Sequence, residues 1–506
     1  MKISGKLFDQ IDPKILIELI GISERVSKKD PTVWGDAATA EATVRLNWVD
    51  LPSSSRDLLP QLDAISAWAR SRSLTQVILC GMGGSSLAPE VIANTYKKNL
   101  TILDSTDPTQ ITNATPKDLT STLIVIASKS GSTIETRSQM AYFEEKILQA
   151  NLNPADHFVI VTDTGSALDS DARSKGYKVV NADPKVGGRF SALSAYGLLP
   201  AALIGIDVSS LLDDALVASK LFVGEQSPAA LIAAAIYQSP SQFVTFTKNQ
   251  SVLPGVEDWI EQLIAESTGK DGKGKLPIIN ESDAQAKFGT SIGFAPGDYD
   301  LVVEADLGAH FILWEWVTAL LSYLLKVDPF NQPNVTEAKE QTDSIIKQGN
   351  FLYPDNLMIF EDDDFQFYSN RDVRSLADFL QIKCGYFAVM AYLTRDKDDL
   401  VTQTNHLITA ITGIATTFGW GPRFLHSTGQ FHKGGGDNGA FIQITAAADI
   451  DLPIPGAGLS FKQLIMAQAI GDAAALMQRD YPFLQIHLKK GQVGSRKLIE
   501  VLKKIN

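Results

Sequence analysis

The chain has 506 residues, 44% hydrophobic and 20% charged, and its 45 basic and 58 acidic side chains leave a net charge of −13. That composition is globular and excludes a mainly disordered chain, and the acidity, with no Lys/Arg block, argues against binding nucleic acid or anionic membranes. Two cysteines, Cys80 and Cys384, exclude a disulfide framework and a four-thiolate metal site.

At ~150 residues per domain the length fits about three domains, or two large ones. Residues 1–60 read as an arm with a packing or linker role, with neither a signal peptide nor a membrane span in view, so a cytoplasmic location is expected. From Leu74 onward, short apolar runs at 75–80, 101–104, 122–127, 158–162 and 178–181 read as buried strands. Helical stretches such as 132–150 lie between them, and strands apolar on both faces linked by helices predict a parallel sheet covered on both sides. Beyond Asp207 the pattern predicts strands at 243–246 and 301–304, a helix over 256–266 and a long buried helix over 309–325. Further strands are expected at 387–393, 442–445 and 483–488, while the acidic run 361–364 reads as a solvated loop rather than a metal site. The expected fold class is α/β, with two doubly wound parallel-sheet domains in tandem. The boundaries read from the chain are an arm at 1–60, a first domain at 61–207 and a second at 208–506 with a C-terminal loop and helices.

Six segments carry residue types suited to chemistry. GMGGSS at 81–86 follows a strand and opens a helix with Pro89 just inside, an arrangement that converges backbone N–H groups on an anion. It departs from the dinucleotide pattern, because Ser86 stands where a third glycine would be. SKSGST at 128–133 repeats the strand–turn–helix arrangement with four hydroxyls and one ammonium, which favours a phosphate, yet no P-loop pattern is present. VGGRFS at 186–191 brings Gly188 and Arg189 together, suited either to developing negative charge or to pairing with a carboxylate. Gln262 and Glu266 stand one turn apart on a helix face, where Glu266 reads as a surface glutamate or as a base. Lys339 sits early in a helix after a proline turn, an unfavourable place for a cation unless an anion shares the site. The loop at 426–436 holds His426 and His432, two of the six histidines, beside a lysine and three glycines; it suits an acid–base histidine better than zinc.

Taken together, GMGGSSLAP (81–89), SKSGSTIET (128–136), VGGRFSALSAYGL (186–198), AESTGK (265–270) and NQPNVTEAK (331–339) resemble the phosphoglucose isomerase family, built from two sugar-isomerase (SIS) domains. The resemblance is firm over 75–340 and looser beyond. The arm around 34–52 and the HSTGQFHKGG loop are similar to the isomerase portion of transaldolase–phosphoglucose isomerase fusions. A transaldolase barrel needs about 250 residues; association with a separate transaldolase is one further reading, and a homodimer is another, the apolar face at 311–325 fitting an interface or a core equally well.

The resemblance implies reversible conversion of glucose 6-phosphate and fructose 6-phosphate through ring opening and a cis-enediolate, with no cofactor or metal. Ser128, Lys129, Ser130 and Thr133, with Thr136 nearby, would hold the phosphate, while Gly84 and Ser85 line the sugar. Arg189 would stabilise the enediolate, Glu266 would move the proton with Gln262 beside it, and Lys339 would help open the ring. The family's ring-opening histidine usually lies between the glutamate and lysine blocks. Only His310 stands there, in the apolar DLGAHFILWEW, and reads as a satisfied core histidine. His426 or His432 is therefore expected to open the ring, with a subunit interface as one route. The alternatives are an isomerase acting on mannose 6-phosphate or another sugar phosphate, and a non-catalytic SIS-type sensor.

Overall fold

Every residue of the strand Thr122–Ala127 is buried, as a strand covered on both faces requires. The computed structural model describes residues 1–248, 252–281 and 285–505. In its first sheet five parallel strands lie in the spatial order Thr101–Leu103, Gln76–Gly81, Thr122–Ala127, Phe158–Asp163, Lys178–Ala182. The direction in which successive strands are added reverses between Gln76–Gly81 and Thr122–Ala127, and the crevice outside the carboxyl ends of two such strands is where doubly wound sheets bind ligands. The GMGGSS and SKSGST turns leave those two strands.

A second sheet has the order Leu301–Glu304, Thr290–Gly293, Phe243–Thr247, Leu276–Asn280, all parallel. The N-terminal strand Lys2–Gly5 adds to its edge in the antiparallel sense. The chain after Tyr353 builds a sheet of its own, in the order Met358–Glu361, Phe365–Ser369, Phe483–Leu488, Gly439–Ala446, Tyr386–Tyr392, Thr416–Trp420. The strands expected near 387, 442 and 483 fall in this third sheet and run parallel, so the C-terminal part is an α/β layer rather than a loop with helices. Thr416–Trp420 and Met358–Glu361 are the two edges of this sheet and escape a periodicity reading, since edge strands need not be apolar on both faces.

The arm is built into the body. Its helix Pro13–Ser27, capped by Asp12, which accepts from the Lys14 N–H at 2.9 Å, packs on the helices Pro228–Gln238 and Leu307–Leu325. Trp34 Nε1 donates to the Ala319 carbonyl at 2.9 Å, and fully buried Trp48 meets Phe190 and Trp316 at ring distances of 5.2 and 5.8 Å. Leu307–Leu325 is, among the described residues, the one helix long and apolar enough to cross a membrane, and it lies buried inside the protein, as an all-round apolar helix does in a large core. His310 on this helix is a core residue, but neither ring nitrogen has a hydrogen-bond partner among the described residues. Phe294 meets its ring edge-on at 5.2 Å, and burial pushes the imidazole down to about 3.

Candidate active site

The turn after Gln76–Gly81 is shaped by two glycines. Gly83 has φ +56°, a left-handed conformation that side chains disfavour, and a Cβ on Gly84 would stand 2.0 Å from the Gly188 carbonyl oxygen. The glycine turn and the arginine loop are thus in backbone contact, which brings Ser85 and Gly188 to one wall.

The serine turn is organised by its own hydroxyls. Ser128 Oγ donates to Thr133 Oγ1 at 3.3 Å and accepts from the Gly131 N–H at 3.1 Å, while the Ser130 and Ser132 hydroxyls are 2.8 Å apart. Lys129 reaches Asp163 at 2.5 Å and the Pro184 carbonyl at 3.1 Å. The helix Ile134–Gln149 begins immediately afterwards, so free N–H groups and the positive end of its dipole face the same crevice.

Arg189 is held from every side. Nε donates to Ser267 Oγ at 2.8 Å, Nη1 to Gln332 Oε1 at 2.8 Å, and Nη2 to the carbonyls of Pro329 and Asn331 at 2.5 and 2.9 Å. Its Nη1 also pairs with Glu266 Oε1 at 3.0 Å, and both side chains are buried. Glu266 Oε2 accepts from Gln262 Nε2 at 3.1 Å, and the same nitrogen donates to the His426 carbonyl at 2.7 Å. Behind Arg189, Lys270 hydrogen-bonds the Asp328 carbonyl. Burial and the charge of Arg189 hold that ammonium well below its ordinary range.

A cavity of about 690 Å³ opens between these segments. Gly84 and Ser85, then Ser128, Lys129, Ser130 and Thr133, then Gly188 and Arg189, and finally Gln262, Glu266, Lys339 and His426 all line it. Two expected residues stay outside. Thr136, in the helix that follows the serine turn, is buried, and its hydroxyl has no partner among the described residues. His432 is stacked on Tyr386 at 5.8 Å, its Nδ1 3.2 Å from the Tyr386 hydroxyl. Burial and the neighbouring Lys433 push the His432 imidazole down to about 3. Exposed Lys339 makes no hydrogen bond or ion pair among the described residues, and its ammonium borders both this cavity and an adjoining one of about 150 Å³.

Several residues of the site have no signal in a local pattern. His426 Nε2 lies 3.0 Å from Glu135 Oε1, which also accepts from Gln468 Nε2 at 2.8 Å. Burial opposes a charge on Glu135, but the His426 ring and Lys339 outweigh it and hold the carboxyl below its usual range. An acid in the first turn of a helix is ordinary, so Glu135 stands out only once His426, 291 positions away, is placed beside it. Ser267 and Gln332 likewise matter only as partners of Arg189, and Glu41 and Arg45 of the arm also line the cavity. Among the described residues no group of three or more His, Cys, Asp or Glu side chains is arranged to hold a metal ion.

A family model described as phosphoglucose isomerase matches residues 56–294. Over that stretch the chain is similar to phosphoglucose isomerases. Glucose-6-phosphate isomerase of a Cyanothece species is 36% identical over 233 residues, covering 42% of this chain and 44% of that relative. The enzyme of that name from Citrifermentans bemidjiense is 29% identical over 388 residues, covering 59% of this chain and 73% of the relative. The chain thus spans under half the length of the more similar of these two. The crystal structure of a glucose-6-phosphate isomerase from Chlamydia trachomatis shares the fold with a TM-score of 0.53 at 18% identity, covering 67% of this chain and 87% of that one. Four of the five sequence blocks lie inside the matched stretch, and the lysine block at 331–339 lies beyond its end.

Proposed function

We propose that the protein is an aldose–ketose isomerase that interconverts glucose 6-phosphate and fructose 6-phosphate. The observation that carries this reading is the buried Glu266–Arg189 pair at 3.0 Å in one cavity with a hydroxyl-rich turn at a helix N-terminus. A carbon-bound proton is moved by a positioned carboxylate, and the enediolate left behind needs a fixed cation; a binding module has no use for the carboxylate.

The sugar phosphate binds with its phosphoryl oxygens at Ser128, Ser130, Thr133 and the first N–H groups of the following helix. His426, oriented by Glu135, and Lys339 open the ring: the anomeric hydroxyl gives up its proton, the C1–O5 bond breaks and O5 takes a proton. Glu266 then takes the proton from C2, the C2 hydroxyl proton passes to the C1 oxygen across the cis-enediolate whose charge Arg189 meets, and the same carboxyl group returns the carbon-bound proton to C1. Gln262 holds Glu266 and the His426 loop in one frame. The tightly bound guanidinium has little freedom to reorganise, which is the condition for electrostatic stabilisation to be effective. A cytoplasmic place in sugar-phosphate metabolism, a homodimer and association with a separate transaldolase belong to the same proposal. Sedimentation tests the dimer, and co-purification tests the association.

A coupled assay of fructose 6-phosphate conversion decides the reading. Glu266→Gln is expected to lower kcat by about 10²–10⁴-fold with little change in KM, the pattern of a lost general base. Equal turnover by the two proteins would overturn it.

A further inference from the structure

The N-terminal arm, to which the sequence assigns only a packing or linker role, lies against the segment that presents Arg189. Leu46 forms an antiparallel bridge with Val186, the Asn47 N–H donates to the Lys185 carbonyl at 3.3 Å, and Asn47 Nδ2 donates to Asp183 at 2.6 Å. Trp48 then packs on Phe190. This attachment carries Arg45 to the cavity wall, where its Nη1 donates to the Pro184 carbonyl at 3.1 Å. Lys129 of the serine turn donates to that same oxygen, also at 3.1 Å. Two cations from segments 84 positions apart therefore converge on one acceptor beside the turn.

The charge balance at this end of the cavity is short of a cation. Lys129 is already matched by Asp163, and the chain as a whole carries −13, so a dianion arriving at the serine turn meets hydroxyls, a helix end and Lys339, and a second cation would strengthen its hold. Arg45 supplies one. Its one carboxylate partner among the described residues is Glu41, one turn earlier on the arm at 3.3 Å and half-buried, a contact of the kind that solvent weakens. Its Nη2 has no hydrogen-bond partner among the described residues. The guanidinium is near enough for its charge to act on Asp163, across the turn. A planar, permanently charged group with a free Nη2 edge suits a phosphoryl oxygen.

We propose that the arm is a working part of the substrate site and that Arg45 is a binding residue for the phosphate end of the sugar phosphate. The proposal rests on the isomerase reading for its substrate, but the anion itself tests it separately. Calorimetric titration with inorganic phosphate should show binding weakened about tenfold in Arg45→Gln, with Arg45→Lys in between, as for removal of one charge-assisted contact. In steady state, KM for fructose 6-phosphate should rise by a similar factor in Arg45→Gln while kcat moves by no more than about twofold, the signature of binding shared by ground and transition states. The KM of Arg45→Gln should also depend less steeply on ionic strength than that of the unaltered protein. A purely structural role would instead lower kcat through a displaced Arg189 and lower the melting temperature, with no rescue by lysine. Unchanged phosphate binding in Arg45→Gln overturns the proposal. Absence of turnover in the unaltered protein, with the phosphate difference intact, would fault the isomerase reading and leave the anion role of Arg45 standing.

Discussion

Two histidines six positions apart have opposite surroundings. His426 touches the cavity and a buried carboxylate, whereas His432 is enclosed by Tyr386, Phe424 and Phe441 and is kept neutral by burial. His426→Ala is expected to slow turnover of cyclic fructose 6-phosphate by about 10²-fold, the usual scale for a lost acid–base group. Glu135→Gln should follow the same trend more mildly, since it removes only the orienting partner. His432→Phe should leave turnover within a few-fold and instead destabilise the fold by roughly 1–3 kcal/mol, because the Tyr386 hydroxyl loses its partner in the core. Stopped-flow assays on cyclic substrate together with urea unfolding separate the two roles, and a slow His432→Phe beside a normal His426→Ala would reverse them.

The site depends on how closely the turns approach each other. At Gly84 the space for a side chain is filled by the Gly188 carbonyl, and overpacking against backbone forces a shift that no rotamer change relieves. Gly84→Ala is therefore expected to separate the glycine turn from the arginine loop, lowering kcat/KM by at least about tenfold and stability by roughly 1–3 kcal/mol. At Gly188 an added methyl meets nothing within 4 Å and φ is not positive, so Gly188→Ala should keep the melting temperature of the unaltered protein. Equal melting temperatures and activities for both substitutions would mean that the close approach of the two turns is dispensable.

Across the whole molecule, the first and third sheets are tied by charge at the carboxyl ends of their strands. Glu90, on the helix Leu87–Thr95 that leaves the glycine turn, pairs with Arg395 at 2.6 Å and with Arg423, and Arg423 also reaches Asp104 at 3.0 Å. Arg423 opens the short helical turn that ends at His426, so the same network positions the histidine loop. Burial opposes the charge on Glu90, but the two guanidinium groups outweigh it and hold the carboxyl at about 2, against an ordinary 4.5. With the folded value depressed, the unfolded chain binds the extra proton, so this stabilisation is complete above pH 4.5 and is lost as pH falls through about 2. Glu90→Gln should cost about 3–5 kcal/mol at pH 7, as expected when a buried pair loses one partner. The difference from the unaltered protein should shrink steadily below pH 4.5. Urea unfolding at pH 7, 4 and 3 reads this out, and a difference independent of pH would assign the effect to packing.

Much was legible in the chain itself. The five strands of the first sheet could be read because buried parallel strands must be apolar on both faces, and 122–127 lacks a polar residue after Thr122. The glycine, serine and arginine turns were legible because glycine and hydroxyl residues at fixed offsets from a strand end mark a tight turn into a helix. Glu266 and Arg189 were each ambiguous, since a carboxylate on a helix and an arginine after two glycines occur on any surface. Only folding set them 3.0 Å apart and buried both. The choice between His426 and His432, the role of Glu135 and the attachment of the arm to the arginine loop depend on contacts between residues as many as 333 positions apart. Local spacing carries no record of such pairs, because side-chain type and period determine which element forms, whereas the packing of elements against one another determines which side chains meet.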